Sequence, residues 1–135
     1  MNYELRKVKF FDEMSEETPC FKAEIWENGK HVADVKNDGR GGCNDIYVVS
    51  KENRGDIYNK YMALEFELME RADEIDQVRK LQTKSFVLKK DGKLHTSKFN
   101  LPLSILKKDR MYDSWKTKML LHFTDSGYEV MNINL

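Results

Sequence analysis

Apolar and polar residues alternate on both sides of an Asn-Gly pair: Phe21, Ala23 and Ile25 are separated by charged residues, and after Asn28-Gly29 the alternation resumes as far as Val35. Such a pattern predicts a β-hairpin, because Asn and Gly tolerate the positive φ angles of the tight turns that match strand twist. Its register is read from cross-strand chemistry. A two-residue loop, Asn28-Gly29, sets Phe21 opposite Lys36 and Ala23 opposite Asp34. A three-residue loop, Glu27-Asn28-Gly29, sets Phe21 opposite Val35, Ala23 opposite Ala33 and Lys22 opposite Asp34. The second is chemically consistent and is the expected register. Residues 5–11 read as an earlier strand, with Leu5, Lys7, Lys9 and Phe11 on one face and Arg6, Val8 and Phe10 on the other, followed by an acidic turn over 12–17. Ile46-Tyr47-Val48-Val49 reads as a strand buried on both faces.

From residue 56 to about 81 the period changes. Ile57, Tyr61, Leu64, Leu68, Ala72 and Ile75 recur at steps of three and four, as on one stripe of a long amphipathic helix that covers a sheet. Asp91-Gly92 within 86–94 predicts a second hairpin. Leu101-Pro102 opens a short helical piece that ends near Lys108. Met111, Trp115, Met119 and Phe123 lie four apart on a further helix, which Gly127 stops before a terminal strand over 128–133. No linker or repeat interrupts the 135 residues, so the expectation is one α+β domain, 1–135. Its antiparallel sheet of hairpins packs against one long amphipathic helix, with one or two further helices in the C-terminal half.

Between the first hairpin and Ile46 runs Lys36-Asn37-Asp38-Gly39-Arg40-Gly41-Gly42-Cys43-Asn44-Asp45, which holds three of the seven glycines. Successive glycine amides can converge on an anion, with Arg40 as a charged fork for phosphate or carboxylate. The familiar nucleotide loops need a helix directly behind the glycines, and here a strand follows. An anion nest or a tight packing turn remains. Asn37, Asp38, Gly39, Arg40, Gly41, Gly42 and Asn44 are the candidate ligand- or partner-binding residues. Asp38, Asn44 and Asp45 lack the ligand spacing of an EF-hand.

The net charge of zero conceals an asymmetry. Residues 1–78 hold 11 Lys or Arg against 18 Asp or Glu, a balance of −7, and residues 79–135 hold 12 against 5, a balance of +7. Glu65, Glu67, Glu70, Asp73, Glu74 and Asp76 form an acidic face on the long helix. In the basic half, Phe86, Phe99, Tyr112 and Trp115 are interleaved with cations, a combination that suits nucleic-acid binding if the rings are exposed. Their core-like spacing argues instead for burial.

Catalytic and metal templates find little. Cys20, Cys43, His31, His95 and His122 show no zinc-site spacing, and the two cysteines read as packing residues. His31, Asp38 and Cys43 would supply base, acid and nucleophile for a small hydrolase or transferase, but their nearness in sequence is the whole of that argument. No catalytic residue, metal or cofactor is assigned. The charged N-terminal residues 1–7 lack the apolar run of a signal peptide, and no segment approaches membrane-span length, so the expected location is cytoplasmic.

The strand and turn over 21–30 and the loop over 36–45 resemble a pattern in short uncharacterised bacterial and phage-type proteins, which pair an "NGK" turn with an "NDGxGG" loop. The resemblance spans about the first 50 residues of the sequence. It implies a phage or mobile-element context and attaches no chemistry. The expected function is therefore a small non-catalytic binding module that contacts a host or defence protein, or a small anionic ligand, through the glycine-rich loop. Nucleic-acid binding by the basic half and a small hydrolase or transferase are the alternatives.

Overall fold

The computed structural model describes residues 3–11 and 20–135; the acidic turn expected over 12–17 lies outside them. The fold is α+β, and the chain divides into two compact units, 1–76 and 77–135. That division falls where the charge changes sign: 11 basic and 18 acidic residues precede it, and 12 basic and 5 acidic follow. No helix among the described residues is long and apolar enough to cross a membrane.

The first unit is built on an antiparallel sheet ordered β1-β2-β3-β4, comprising Glu4–Phe10, Cys20–Glu27, Lys30–Asp38 and Asp45–Val48. Asn28 and Gly29 both have positive φ (50° and 78°), so the β2–β3 turn has two residues and sets Glu27 opposite Lys30. A register shift between Ile25 and Trp26 then sets Ile25 opposite Ala33, Ala23 opposite Val35 and Phe21 opposite Asn37. Neither register derived from the sequence anticipates this bulge, which buries two consecutive residues, Val32 and Ala33. A second irregularity lies in β1, where Lys7 adopts φ 52° and the pairing with β2 shifts between Arg6 and Lys9. Strict alternation therefore fails there. Leu5, Val8 and Phe10 all turn inward, and Phe10 stacks on Phe21 at 5.5 Å. β4 is an edge strand buried on one face only, with Ile46 inside and Tyr47 59% exposed. The expectation of burial on both faces is corrected accordingly.

The helical stretch is two helices, α1 (Arg54–Met62) and α2 (Glu65–Leu81). The break falls where the Leu64 amide bonds the Tyr61 carbonyl in a tightened turn, at the three-residue step of the apolar pattern. Tyr61, Leu68 and Ala72 are fully buried against the sheet residues, whereas Ile75 is exposed.

Tyr61 also joins the helix to the hairpin. Its hydroxyl donates to Glu27 Oε1 at 2.5 Å, and Lys60 Nζ lies equally close to the same oxygen. The Lys60 and Tyr61 hydrogen bonds hold the Glu27 carboxyl below its ordinary range, while burial, reinforced by the carboxylate, pushes the Tyr61 phenol far up. The Glu27 contribution is present above its unfolded pKa of about 4.3 and is lost as pH falls through the lower folded value. The Tyr61 contribution is present below about pH 10, the unfolded phenol value, and weakens above it. Melting temperature measured against pH is therefore expected to fall at both ends. Glu27→Gln should flatten the acid limb and Tyr61→Phe the alkaline limb, and unchanged limbs in both variants would contradict the assignment.

The second unit holds a three-stranded sheet ordered β6-β5-β7, with β5 Ser85–Lys90, β6 Lys93–Lys98 and β7 Glu129–Val130. Asp91 and Gly92 form its two-residue turn, both at positive φ. Central β5 has four consecutive buried residues, 85–88. Helix α3 (Leu103–Leu106) follows Pro102, and α4 (Tyr112–Asp125) ends at Gly127, φ 86°. There the Gly127 amide bonds the Thr124 carbonyl and the Tyr128 amide bonds the Phe123 carbonyl, the paired bonds of a Schellman stop. Trp115, Met119 and Phe123 join Phe86 in the core, while Met111 is exposed at the helix start. The terminal ladder is shorter than expected because side-chain amides take over. Asn132 accepts from the Val87 amide and donates to the Ser85 carbonyl, and Gln82 bonds the Ile133 amide and the Asn134 side chain.

Candidate functional site

The β3–β4 connection is organised by two buried asparagines. Asn37, at the end of β3, donates from Nδ2 to the Gly42 carbonyl and to Asn44 Oδ1, both at 3.1 Å, and its Oδ1 accepts the Gly39 amide at 2.9 Å. Asn44 donates to the Glu65 carbonyl at 3.1 Å, which ties the loop to the start of α2. Asp38 Oδ1 accepts the Arg40 amide at 3.1 Å. Gly39 and Gly41 have φ of 80° and 86°, where a side chain would be strained. Gly42 has no such requirement, and a Cβ there would meet nothing within 4 Å.

Of the seven residues singled out from the sequence, Asn37, Gly39 and Asn44 are buried, and Asp38, Arg40, Gly41 and Gly42 are exposed. The amides of Gly39 and Arg40 already have side-chain acceptors within the loop. Its exposed part is a crest of Arg40, Gly41, Gly42 and Cys43, held from beneath by the asparagine pair. Cys43 is exposed on this crest and does not pack, contrary to expectation, whereas Cys20 is buried.

Other sequence-derived groupings separate. His31 and Asp38 sit seven residues apart on the same strand, about 23 Å at strand rise. His31 Nε2 lies 2.6 Å from Asp34 Oδ1, and its ring stacks on Trp26 at 5.4 Å. In the basic unit, Phe86 is buried, and Phe99 and Trp115 pack against it with centroids 4.9 and 5.4 Å away. Three of the four rings proposed for base stacking thus belong to the core, and the fourth, Tyr112, is half-buried beside Trp115.

One grouping went unread in the sequence. Glu24 and Asp34 are directly opposed across β2 and β3, and with His31 they bring one ligand-type atom each within 4.8 Å of one another. Among the described residues these three are the set whose donors suit a cation. The Trp26 indole N–H donates to Glu24 Oε1 at 3.1 Å and holds that carboxyl below its usual range, with Lys7, 3.5 Å away, adding to the effect. Only the bulged register opposes Glu24 to Asp34, so sequence spacing gave no sign of it.

Comparison with protein-family models, with curated proteins and with solved structures found no match.

Proposed function

We propose that this chain is a non-catalytic binding module that engages a partner protein through the crest of the 38–43 loop. The observation that carries the reading is the buried Asn37–Asn44 pair, because it pre-forms an exposed loop and so lowers the ordering cost of contact. A protein surface suits this crest better than a small anion. Two of the amides that would cradle an anion are bonded to Asn37 and Asp38, and the Arg40 guanidinium remains as the charged element. The resemblance of the "NDGxGG" segment to phage-type proteins supports a host or defence component as the partner.

Affinity purification of the tagged chain from its own host, followed by native mass spectrometry, tests this. A stoichiometric co-purifying protein is expected, lost in Arg40→Ala and in Gly42→Leu while the melting temperature is kept. Gly42 is the better probe because it has room for a side chain, whereas Gly41 would be strained by one. The same complex in both variants would reject the loop as the contact. Nucleic acid purifying instead of protein would turn the reading to the basic residues of 77–135.

A further inference from the structure

Among the described residues, the outer edge of β4 has no strand beside it in the sheet order β1-β2-β3-β4. The Val49 amide donates to the Val32 carbonyl at 2.9 Å, and the same register sets Val48 opposite Ala33, Tyr47 opposite Asp34 and Ile46 opposite Val35. In an antiparallel ladder, opposed residues alternate between exchanging main-chain bonds and turning those groups away. Val49, Tyr47 and Asp45 therefore bond toward β3, and the N–H and C=O groups of Ile46 and Val48 point outward. An independent contact agrees with this: Arg54 Nη2 reaches the Val48 carbonyl from outside the sheet, at 3.2 Å.

This edge forms one wall of an open cleft of about 460 Å³, and α1 forms the other through Arg54, Gly55, Tyr58 and Asn59. Tyr47 and Tyr58 expose large apolar surfaces here, and Gly55 leaves open space on the helix wall. The opposite edge of the sheet differs. β1 has a bulge at Lys7 and three cations, Arg6, Lys7 and Lys9, devices that discourage strand pairing. The pairing of β4 with β3 has no bulge, and the strand has neither lysine nor proline.

We propose that the β4 edge takes an extended segment of a partner protein as a fifth, antiparallel strand. Main-chain bonds to both outward groups of Ile46 and to the Val48 N–H would hold it, the Val48 carbonyl already accepting from Arg54, and the flanking side chains state its chemistry. An apolar residue lies opposite Tyr47 and a second opposite Ile46, against α1. A basic residue lies opposite Asp45, the exposed carboxylate at the start of the strand, which Lys36 faces from the β3 side. The surface is separate from the loop crest. Arg40→Ala and Gly42→Leu leave this edge intact, so failure of the loop reading and failure of this one are distinguishable.

The test titrates the ¹⁵N-labelled full chain with a terminally blocked octapeptide whose central residues are valine, valine and lysine, flanked by threonines. Saturable amide shifts confined to 45–49 and 54–59 are expected. Val48→Pro removes one outward N–H and no bond to β3, so it should keep the fold and weaken binding by about tenfold or more. N-methylation of the peptide at alternate residues should abolish binding in one phase and spare it in the other. This measurement on the wild-type chain decides the matter if Val48→Pro fails to fold. Absence of shifts at millimolar peptide, equal binding by a folded Val48→Pro, or equal binding of both N-methylated peptides would overturn the proposal. A dimer of the chain that forms through residues 46–48 would overturn it too, by assigning the edge to a second copy.

Discussion

Asn37→Leu is expected to lower stability by about 2–5 kcal/mol and to unlock the 38–43 loop. Leucine has a similar volume but no amide, so the buried Gly39 N–H and the buried Asn44 Oδ1 each lose a partner. Leaving one such group unpaired costs about 1–3 kcal/mol, and the two losses arise together. The Gly42 carbonyl also loses its donor but lies at an exposed residue, where water can replace it. Urea denaturation gives the stability change, and hydrogen exchange at the Gly39 amide reports the loop directly. Asp38→Ala serves as the control, because its acceptor role is at an exposed residue; a change of under about 1 kcal/mol is expected. If Asn37→Leu unfolds at the wild-type denaturant midpoint, the asparagine pair is not what holds the loop.

The second large effect is expected in residues 77–135, from Phe86→Ala. Phe86 is 1% exposed, and the rings of Phe99, Trp115 and Phe123 lie 4.9, 5.4 and 5.2 Å from it. Removing a ring at the meeting point of three others leaves a cavity that collapse cannot fill, at a cost of about 3–5 kcal/mol. The near-ultraviolet circular dichroism of Trp115 should weaken at the same time, since its asymmetric packing depends on that ring. Phe86→Leu retains most of the volume and should cost clearly less. Equal losses in the two variants would mean that the ring-to-ring packing, rather than the buried volume that leucine keeps, sets the stability there.

The elements of this chain were readable where local chemistry acts alone. Asn28-Gly29 and Asp91-Gly92 announce their turns because few residues accept positive φ, and both pairs adopt it. Gly127 announces the end of α4 for the same reason. Burial of Tyr61, Leu68 and Ala72 follows from the helical period, and burial of Phe86 and Phe123 from the spacing of apolar residues. Ile75 and Met111 fit those periods equally well and are exposed, because a stripe is buried only as far as the surface opposing it extends.

The candidate site was legible as a place and not as a mechanism. Glycine density marked the loop, but the role of Asn37 and Asn44 depends on a hydrogen bond between residues seven apart, which no propensity encodes. The Glu24, His31 and Asp34 grouping depends on the extra residue in β3, and one inserted residue changes every partner beyond it. The edge position of β4 is likewise a property of sheet order. Ile46-Tyr47-Val48-Val49 carries the composition of a central strand, and only the sheet order makes it an edge among the described residues.

By itself, then, the sequence determined the α+β class, the two tight hairpins and the opposite charge of the two halves, because turn chemistry, periodicity and ionisation are local. Tertiary structure decided the bulged registers, the division at residue 76, the asparagine lock beneath the loop and the exposed edge of β4. Each of these depends on which distant residues face one another, and that is set by the fit of whole elements rather than by the preference of any single residue.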